Sequence, residues 1–368
     1  MSENNQTARL LSLDAMRGFT IMAMIIVNTP GSWDHVYPPL LHASWNGATP
    51  TDYIFPFFLF IVGVSVALAY QPRLDAGADK AALTKKILIR SLKIYALGIF
   101  LWLWPDFDFN HIRWVGVLHR IAFVFLACAL FYLYTDWRTW MRAGAGILAT
   151  YWIVMVFVPV PGIGQPDLSA AGMNLANYLD SRILPGVLWQ KTWDPEGFLS
   201  TFPSIVTGIT GMLAGRIILQ NRDMYQRITW LFLAGFGLFV AGGAWDWFFP
   251  INKHIWTSSY VCHTSGLAFM TLAACHLVVD VLGMDRWTAP GRIFGANAIT
   301  AYTLAGMLTA VFYTGYFGKP GLNEMWMSSL TAAGIPAQLA SLTYALLYVG
   351  IVFLPVYQLY RKKIFIRL

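Results

Sequence analysis

Apolar residues run along this chain in stretches of about twenty, far longer than the alternation of a half-buried strand requires. A stretch of about 20 mainly apolar residues is what a helix needs to cross a bilayer. Ten stretches qualify, at roughly 10–29, 52–70, 87–104, 114–134, 141–160, 198–219, 229–249, 259–281, 293–313 and 337–359. Breakers separate them: Pro30-Gly31, Pro72, Pro105, Pro159 to Gly164, Pro250, Pro290-Gly291 and Pro320-Gly321. The pattern predicts an all-α, polytopic membrane bundle of about ten transmembrane helices, forming a single domain over 1–368 with no internal repeat. The first stretch carries Asp14 and Arg17 in its early turns and runs into Asn28-Thr-Pro-Gly without a small-residue cleavage motif, so it is expected to be a retained span.

Composition agrees with this reading. Hydrophobic residues make up 57% of the 368 and charged ones 12%, against about 25% charged in soluble proteins. Too few polar side chains exist to coat soluble domains, which excludes those, disorder, and a nucleic-acid-binding module. The net charge of +7 reads as topology. With both termini in the cytoplasm, nineteen of the 25 Lys and Arg fall on the inner side and six on the outer, as positive-inside orientation requires. Cys128, Cys262 and Cys275 lie in apolar stretches without CxxC spacing, so neither a disulfide framework nor a metal site is expected.

Two outer loops, 30–51 and 161–197, are long and rich in Trp, Pro, Gly, Asn and His; loops of that length are usually functional or disordered. Most of the 16 Trp mark span ends as interface belts, whereas Trp33, Trp45, Trp189, Trp193 and Trp256 sit in or near outer loops, where a face could stack on a sugar.

Charges inside spans cost about 2.5–3.5 kcal/mol each on insertion scales and need partners. Asp14 and Arg17, spaced i,i+3, read as a local ion pair. Arg90 and Lys93 lie one turn apart and suit a lipid head group or a phosphate. His119-Arg120 opens the fourth span, where Arg120 needs a carboxylate or carbonyls. Near the first outer loop, His42 is flanked by small and polar residues. Thr49-Pro50-Thr51-Asp52 reads as a helix start with Thr49 as N-cap and Asp52 at the third position, so capping is the plain role of Asp52. The alternative is that its carboxylate also orients His42. Asp194 and Glu196 in WDPEG either cap the sixth span or meet a cationic amine. In PINKHIWTSS, Ser258 and Ser259 are plausible N-caps, while Asn252 and Lys253 are harder to explain that way. His263 and His276 are expected to bond to neighbouring helices. Gly211-Met-Leu-Ala-Gly215 is a GxxxG, a close-packing motif within the fold or between protomers.

LLSLDAMRGF with Val27-Asn28, HASWNG, TDYIFPFFLFIVGVS, GVLHR, DPEGFLSTFPSIV, PINKHIWTSSYV and the closing YRKKIF resemble, in order from about residue 9, the membrane part of the heparan-α-glucosaminide N-acetyltransferase family. The resemblance implies a bacterial, inner-membrane member connected with amino-sugar use, taking acetyl-CoA from the cytoplasm and acetylating the amine of a glucosamine on the far side. It places the catalytic histidine at His42 and the family's asparagine at Asn28; Asp52 would hold the ring. Arg17, Arg90, Lys93 and Arg120 become candidates for the donor, and Trp45, Asn46, Asp194, Glu196, Asn252, Lys253 and Trp256 for the sugar. It also suggests a homodimer and no nucleic-acid partner. Leu41 replaces a basic residue, His119 replaces a glutamine, and the segment between Asn28 and His42 is about three residues longer. The family's N-terminal lumenal domain has no counterpart, so a free amino sugar or small oligosaccharide is the expected acceptor. The rivals are an amino-sugar permease and an acyltransferase for another envelope sugar.

Overall fold

The computed structural model describes residues 10–220, 223–315 and 320–366. Of the residues used for orientation, Arg9, Arg222, Lys319 and Arg367 lie outside these. Among the described residues there are helices and no strands. The α-helices are α1 Leu11–Asn28, α2 Ile54–Asp75, α3 Lys80–Leu103, α4 Val117–Tyr134, α5 Trp137–Phe157, α6 Leu175–Ile183, α7 Phe198–Leu219, α8 Met224–Trp245, α9 Ser258–Cys275, α10 Ala289–Ala296, α11 Ala298–Phe312, α12 Leu322–Ala332 and α13 Ala337–Arg361. Eight of these, some with short extensions, are long and apolar enough to cross a membrane. α3 is as long, but Lys86, Arg90 and Lys93 interrupt its apolar run. The protein is a multi-pass helical membrane protein.

The predicted span 293–313 needs correction. It is broken: Arg286–Ala296 and Ala298–Phe312 meet at 74°. Pro290, read as a breaker, sits at the start of α10, where its missing N–H costs no intrahelical bond. The break falls at Asn297, whose amide group turns to the C-terminal tail, accepting from Ile366 N–H (3.0 Å) and donating to the Ile364 carbonyl (3.2 Å). Thr257, not Ser258 or Ser259, caps α9; the Ser258 hydroxyl instead donates to the Leu148 carbonyl at 2.8 Å. His263 meets Tyr53, the last residue of the turn leading into α2, at 3.0 Å, a contact between elements as expected, whereas His276 pairs with Asp280 one turn on, at 2.8 Å.

The core forms where α2 packs on α1, α4, α7 and α9. The GxxxG is used here, within the chain. A Cβ on Gly211 would lie 2.0 Å from the Phe60 carbonyl oxygen, and one on Gly215 would lie 2.5 Å from Ala67 Cβ. These glycines therefore seat α7 against α2, and the motif says nothing about a dimer. On the periphery, α8 exposes Phe232, Leu233, Phe236 and Val240, a face suited to lipid.

Successive spans alternate in direction, which gathers segments 29–49, 104–116, 158–197 and 246–257 at one end. Hydrogen bonds lace them together: Gly47 N–H to the Ile251 carbonyl (2.7 Å), Trp45 Nε1–H to the Leu168 carbonyl (2.9 Å), and Val187 N–H to the Ile112 carbonyl (3.0 Å). Every polar cluster singled out in the outer loops comes to this end.

Candidate active site

Asp52 organises the site. Thr49-Pro50-Thr51-Asp52 forms the capped 3₁₀ turn that leads into α2, and Asp52 Oδ2 accepts the Thr49 N–H (2.9 Å) and the Ala43 N–H (3.0 Å). Its other oxygen, Oδ1, lies 2.7 Å from His42 Nδ1. Capping and orientation of the histidine are therefore done by one carboxylate. With Asp52 as acceptor throughout, Nδ1 carries the ring proton and Nε2 keeps its lone pair. The His42 side chain is 41% exposed while Asp52 is 1% exposed, so a buried acid holds an accessible imidazole. Tyr260, through its hydroxyl, binds the Asp52 carbonyl from α9.

Lys253 arrives from the 246–257 segment. Its Nζ lies 3.0 Å from both His42 ring nitrogens and 3.8 Å from Asp52 Oδ1. An ammonium equidistant from both nitrogens cannot lie in the ring plane without overlapping Cε1, so it sits over the ring face. The in-plane lone pair of Nε2 stays free of it. Burial holds the Lys253 ammonium below the usual lysine range, partly offset by the charges of Asp52 and Glu196. The turn beneath Lys253 is tightly fastened. Asn252 N–H donates to Thr257 Oγ1 (3.0 Å), Ile255 N–H donates to Asn252 Oδ1 (3.1 Å), and Trp256 adopts the left-handed φ of 51°.

The second cluster closes on a cation that the sequence reading did not pair with it. Arg113 donates from Nε to Asp194 Oδ2 (2.7 Å), and from one terminal nitrogen to Asp194 Oδ1 (2.5 Å) and Glu196 Oε2 (2.7 Å). Of the two roles left open for Asp194 and Glu196, a helix cap or the partner of a cationic amine, the cation is supplied in this structure by the chain's own guanidinium. Trp189 covers that guanidinium at 5.0 Å. Beside it, Asp180 accepts the Phe198 N–H (2.9 Å) and the Asp194 N–H (3.3 Å). Burial pushes the Asp180 carboxyl up to about 7 against those two donors.

Arg120 is 1% exposed. One terminal nitrogen donates to the Gly197 carbonyl (3.3 Å) and to Ser200, and the guanidinium lies 5.0 Å over the Trp256 ring. Its Nε and other terminal nitrogen have no protein acceptor. Trp193 of WDPEG meets His254, next to Lys253, edge-on at 5.6 Å, and Arg120 touches both Gly197 and Trp256, so the His42 cluster and the WDPEG cluster adjoin.

The remaining candidates are placed less centrally. Asn28 ends α1, exposed and on the same end as His42. Trp45 stacks on His254 at 5.4 Å and meets Trp193 edge-on at 5.4 Å. Asn46 is exposed, its amide joining Leu168 and Asn252. Trp256 is 1% exposed, its face against Arg120. Towards the opposite end of the spans, Arg17 pairs with Asp14 (3.1 Å), as expected of that i,i+3 pair, and donates to Ser65 (2.7 Å). Arg90 lies 4.9 Å over the Phe125 ring and Lys93 is exposed on α3. His119 is buried against Tyr95. Among the described residues no group of three or more His, Cys, Asp or Glu is arranged to hold a metal. The sequence reading missed Arg113, Asp180 and Tyr260 as partners of the site.

The chain is 29% identical to heparan-alpha-glucosaminide N-acetyltransferase of Mus musculus, over 80% of this chain and 53% of that protein. It is 30% identical to the Homo sapiens protein of the same name, over 80% of this chain and 52% of that one. It thus spans about half the length of these relatives. Residues 9–243, which carry His42, Asp52, Arg113, Arg120, Asp194 and Glu196, match the family model for the catalytic part of heparan-alpha-glucosaminide N-acetyltransferase, and the chain belongs to that family.

Proposed function

We propose that this protein is a transmembrane N-acetyltransferase that moves the acetyl group of acetyl-CoA to the amine of a glucosamine-type sugar. The observation that carries the reading is the Asp52–His42 pair, 2.7 Å apart, at the end of the bundle where the loops converge. A buried carboxylate fixing one nitrogen of an accessible imidazole is the arrangement of a general base with its orienting acid. An imidazole, with an unperturbed pKa of about 6.5, is suited to take a proton from an attacking amine near neutral pH.

In this reading His42 Nε2 accepts the amine proton while Asp52 keeps Nδ1–H in place. The two N–H-bearing nitrogens of Arg120 without protein acceptors fit the carbonyl-rich donor better than an apolar chain. Glu196, bound to Arg113 through Oε2, offers its other oxygen to sugar hydroxyls, with Asp194 holding Arg113 in place and Trp45, Asn46 and Asn252 as further sugar contacts. The polyanionic nucleotide of the donor would stay at the opposite, more basic end. There the excess of Lys and Arg supports cytoplasmic termini and an inner-membrane setting, with Arg90 and Lys93 as its first contacts and Arg17 reached after release from Asp14.

Proteoliposomes test this reading against a permease. Supplying acetyl-CoA on one face and glucosamine on the other should yield N-acetylglucosamine by mass spectrometry. Counterflow of labelled glucosamine without acetyl-CoA, and no acetylated product, would refute the acetyltransferase.

A further inference from the structure

We propose that Lys253 is a catalytic residue, its ammonium carrying the negative charge that develops on the carbonyl oxygen during acyl transfer. This rests on the acetyltransferase reading and adds the group that polarises the acyl carbonyl. Lys253, a sugar candidate by sequence, lies beyond the stretch that matches the family model, 9–243, and the role assigned to it here rests on its geometry.

The ammonium stands 3.0 Å from His42 Nε2, over the ring face, so a tetrahedral centre formed beside Nε2 is formed beside the ammonium as well. A counter-ion role for Asp52 does not by itself account for the placement: the ammonium is 3.8 Å from Asp52 Oδ1 but 3.0 Å from both His42 nitrogens. The amide of Asn28 is another group at this end able to donate to the acyl carbonyl oxygen, and it is exposed at the end of α1. Lys253 is also preorganised: the Asn252 and Thr257 hydrogen bonds beneath it fix its turn, and its side chain is 13% exposed. A fixed charge in a water-poor site stabilises a developing oxyanion without reorganisation at the moment of reaction.

The acceptor nitrogen's lone pair forms the new N–C bond as the carbonyl π pair moves onto oxygen, against Lys253. His42 Nε2 takes the proton from that nitrogen. When the C=O bond re-forms, the C–S bond breaks, and sulfur leaves with the bonding pair and receives the proton from His42. Lys253 stays protonated throughout. The charged or titratable groups facing it are His42, Asp52, Glu196, Arg120 and His254.

The test compares full-length wild type, Lys253→Met and Lys253→Arg in detergent, following amino-sugar-dependent thiol release from acetyl-CoA. Lys253→Met should lower kcat by about 10²–10³-fold, with KM for both substrates nearly unchanged. Lys253→Arg should restore most of kcat and move the alkaline limb of its pH profile upward, because a guanidinium keeps its proton where this lysine loses it. A Met variant that loses only KM, or an Arg variant with the wild-type alkaline limb, would overturn the assignment while leaving an active wild type. A wild type inactive on every amino sugar would instead overturn the acetyltransferase reading.

Discussion

Arg113→Met removes the guanidinium that pairs with both Asp194 and Glu196. Three charge-assisted hydrogen bonds of 2.5–2.7 Å disappear. The carboxylates left behind are 0% and 10% exposed, so neither can recover full hydration. Removing one partner of such a buried pair typically costs about 3–5 kcal/mol. Asp194 keeps two backbone donors at 3.0 Å, the Trp189 and Glu196 N–H groups, which places the expected loss near the lower bound, about 3 kcal/mol. Arg113→Met/Asp194→Asn removes one stranded charge along with its partner and should be more stable than Arg113→Met alone. Unfolding by SDS titration from a mild detergent, followed by near-UV circular dichroism, measures both. Arg113→Met with wild-type stability, or a double variant no better than the single one, would refute the argument that this ion cluster fastens the outer loops.

Asp52→Asn leaves an acceptor for the backbone N–H groups but removes the charge that fixes the His42 tautomer; thiol release should fall by about 10²–10⁴-fold with the fold retained, and a near-normal rate would remove Asp52 from the mechanism. Gly197→Ala would put a Cβ 2.0 Å from Asp180 Oδ2, so a loss of about 1–3 kcal/mol is expected in the same SDS titration, and wild-type stability would contradict that packing. Asp180, raised from 3.8 to about 7 by burial, holds a proton in the folded state that the unfolded chain releases. Its contribution therefore disfavours folding increasingly as pH rises from about 4 to 7 and is constant above. Asp180→Asn should flatten that part of the stability profile, and an unchanged slope would contradict the raised value.

Local signals found what local chemistry decides. The Thr49–Asp52 spacing marks a helix start, and the nearby loop histidine made a second role for that carboxylate conceivable; the structure unites the two. The spans were legible because apolar runs of bilayer length have few other uses. Partners far apart in sequence were not legible. Arg113 and Asp194 are separated by 81 positions, and Lys253 and His42 by 211. Charge balance gave no pointer to Arg113 either, since Asp106 and Asp108 lie nearer to it in sequence than the Asp194 it binds. The partner that Asn297 finds at the bend was not legible either, since Ile366 lies 69 positions on.

If His42 performs acetyl transfer to an amine, release of free thiol from acetyl-CoA by detergent-purified protein, with and without glucosamine, will separate wild type from His42→Ala. Wild type should release thiol only when glucosamine is present, and the variant should release none. Equal release by both would remove His42 from the reaction.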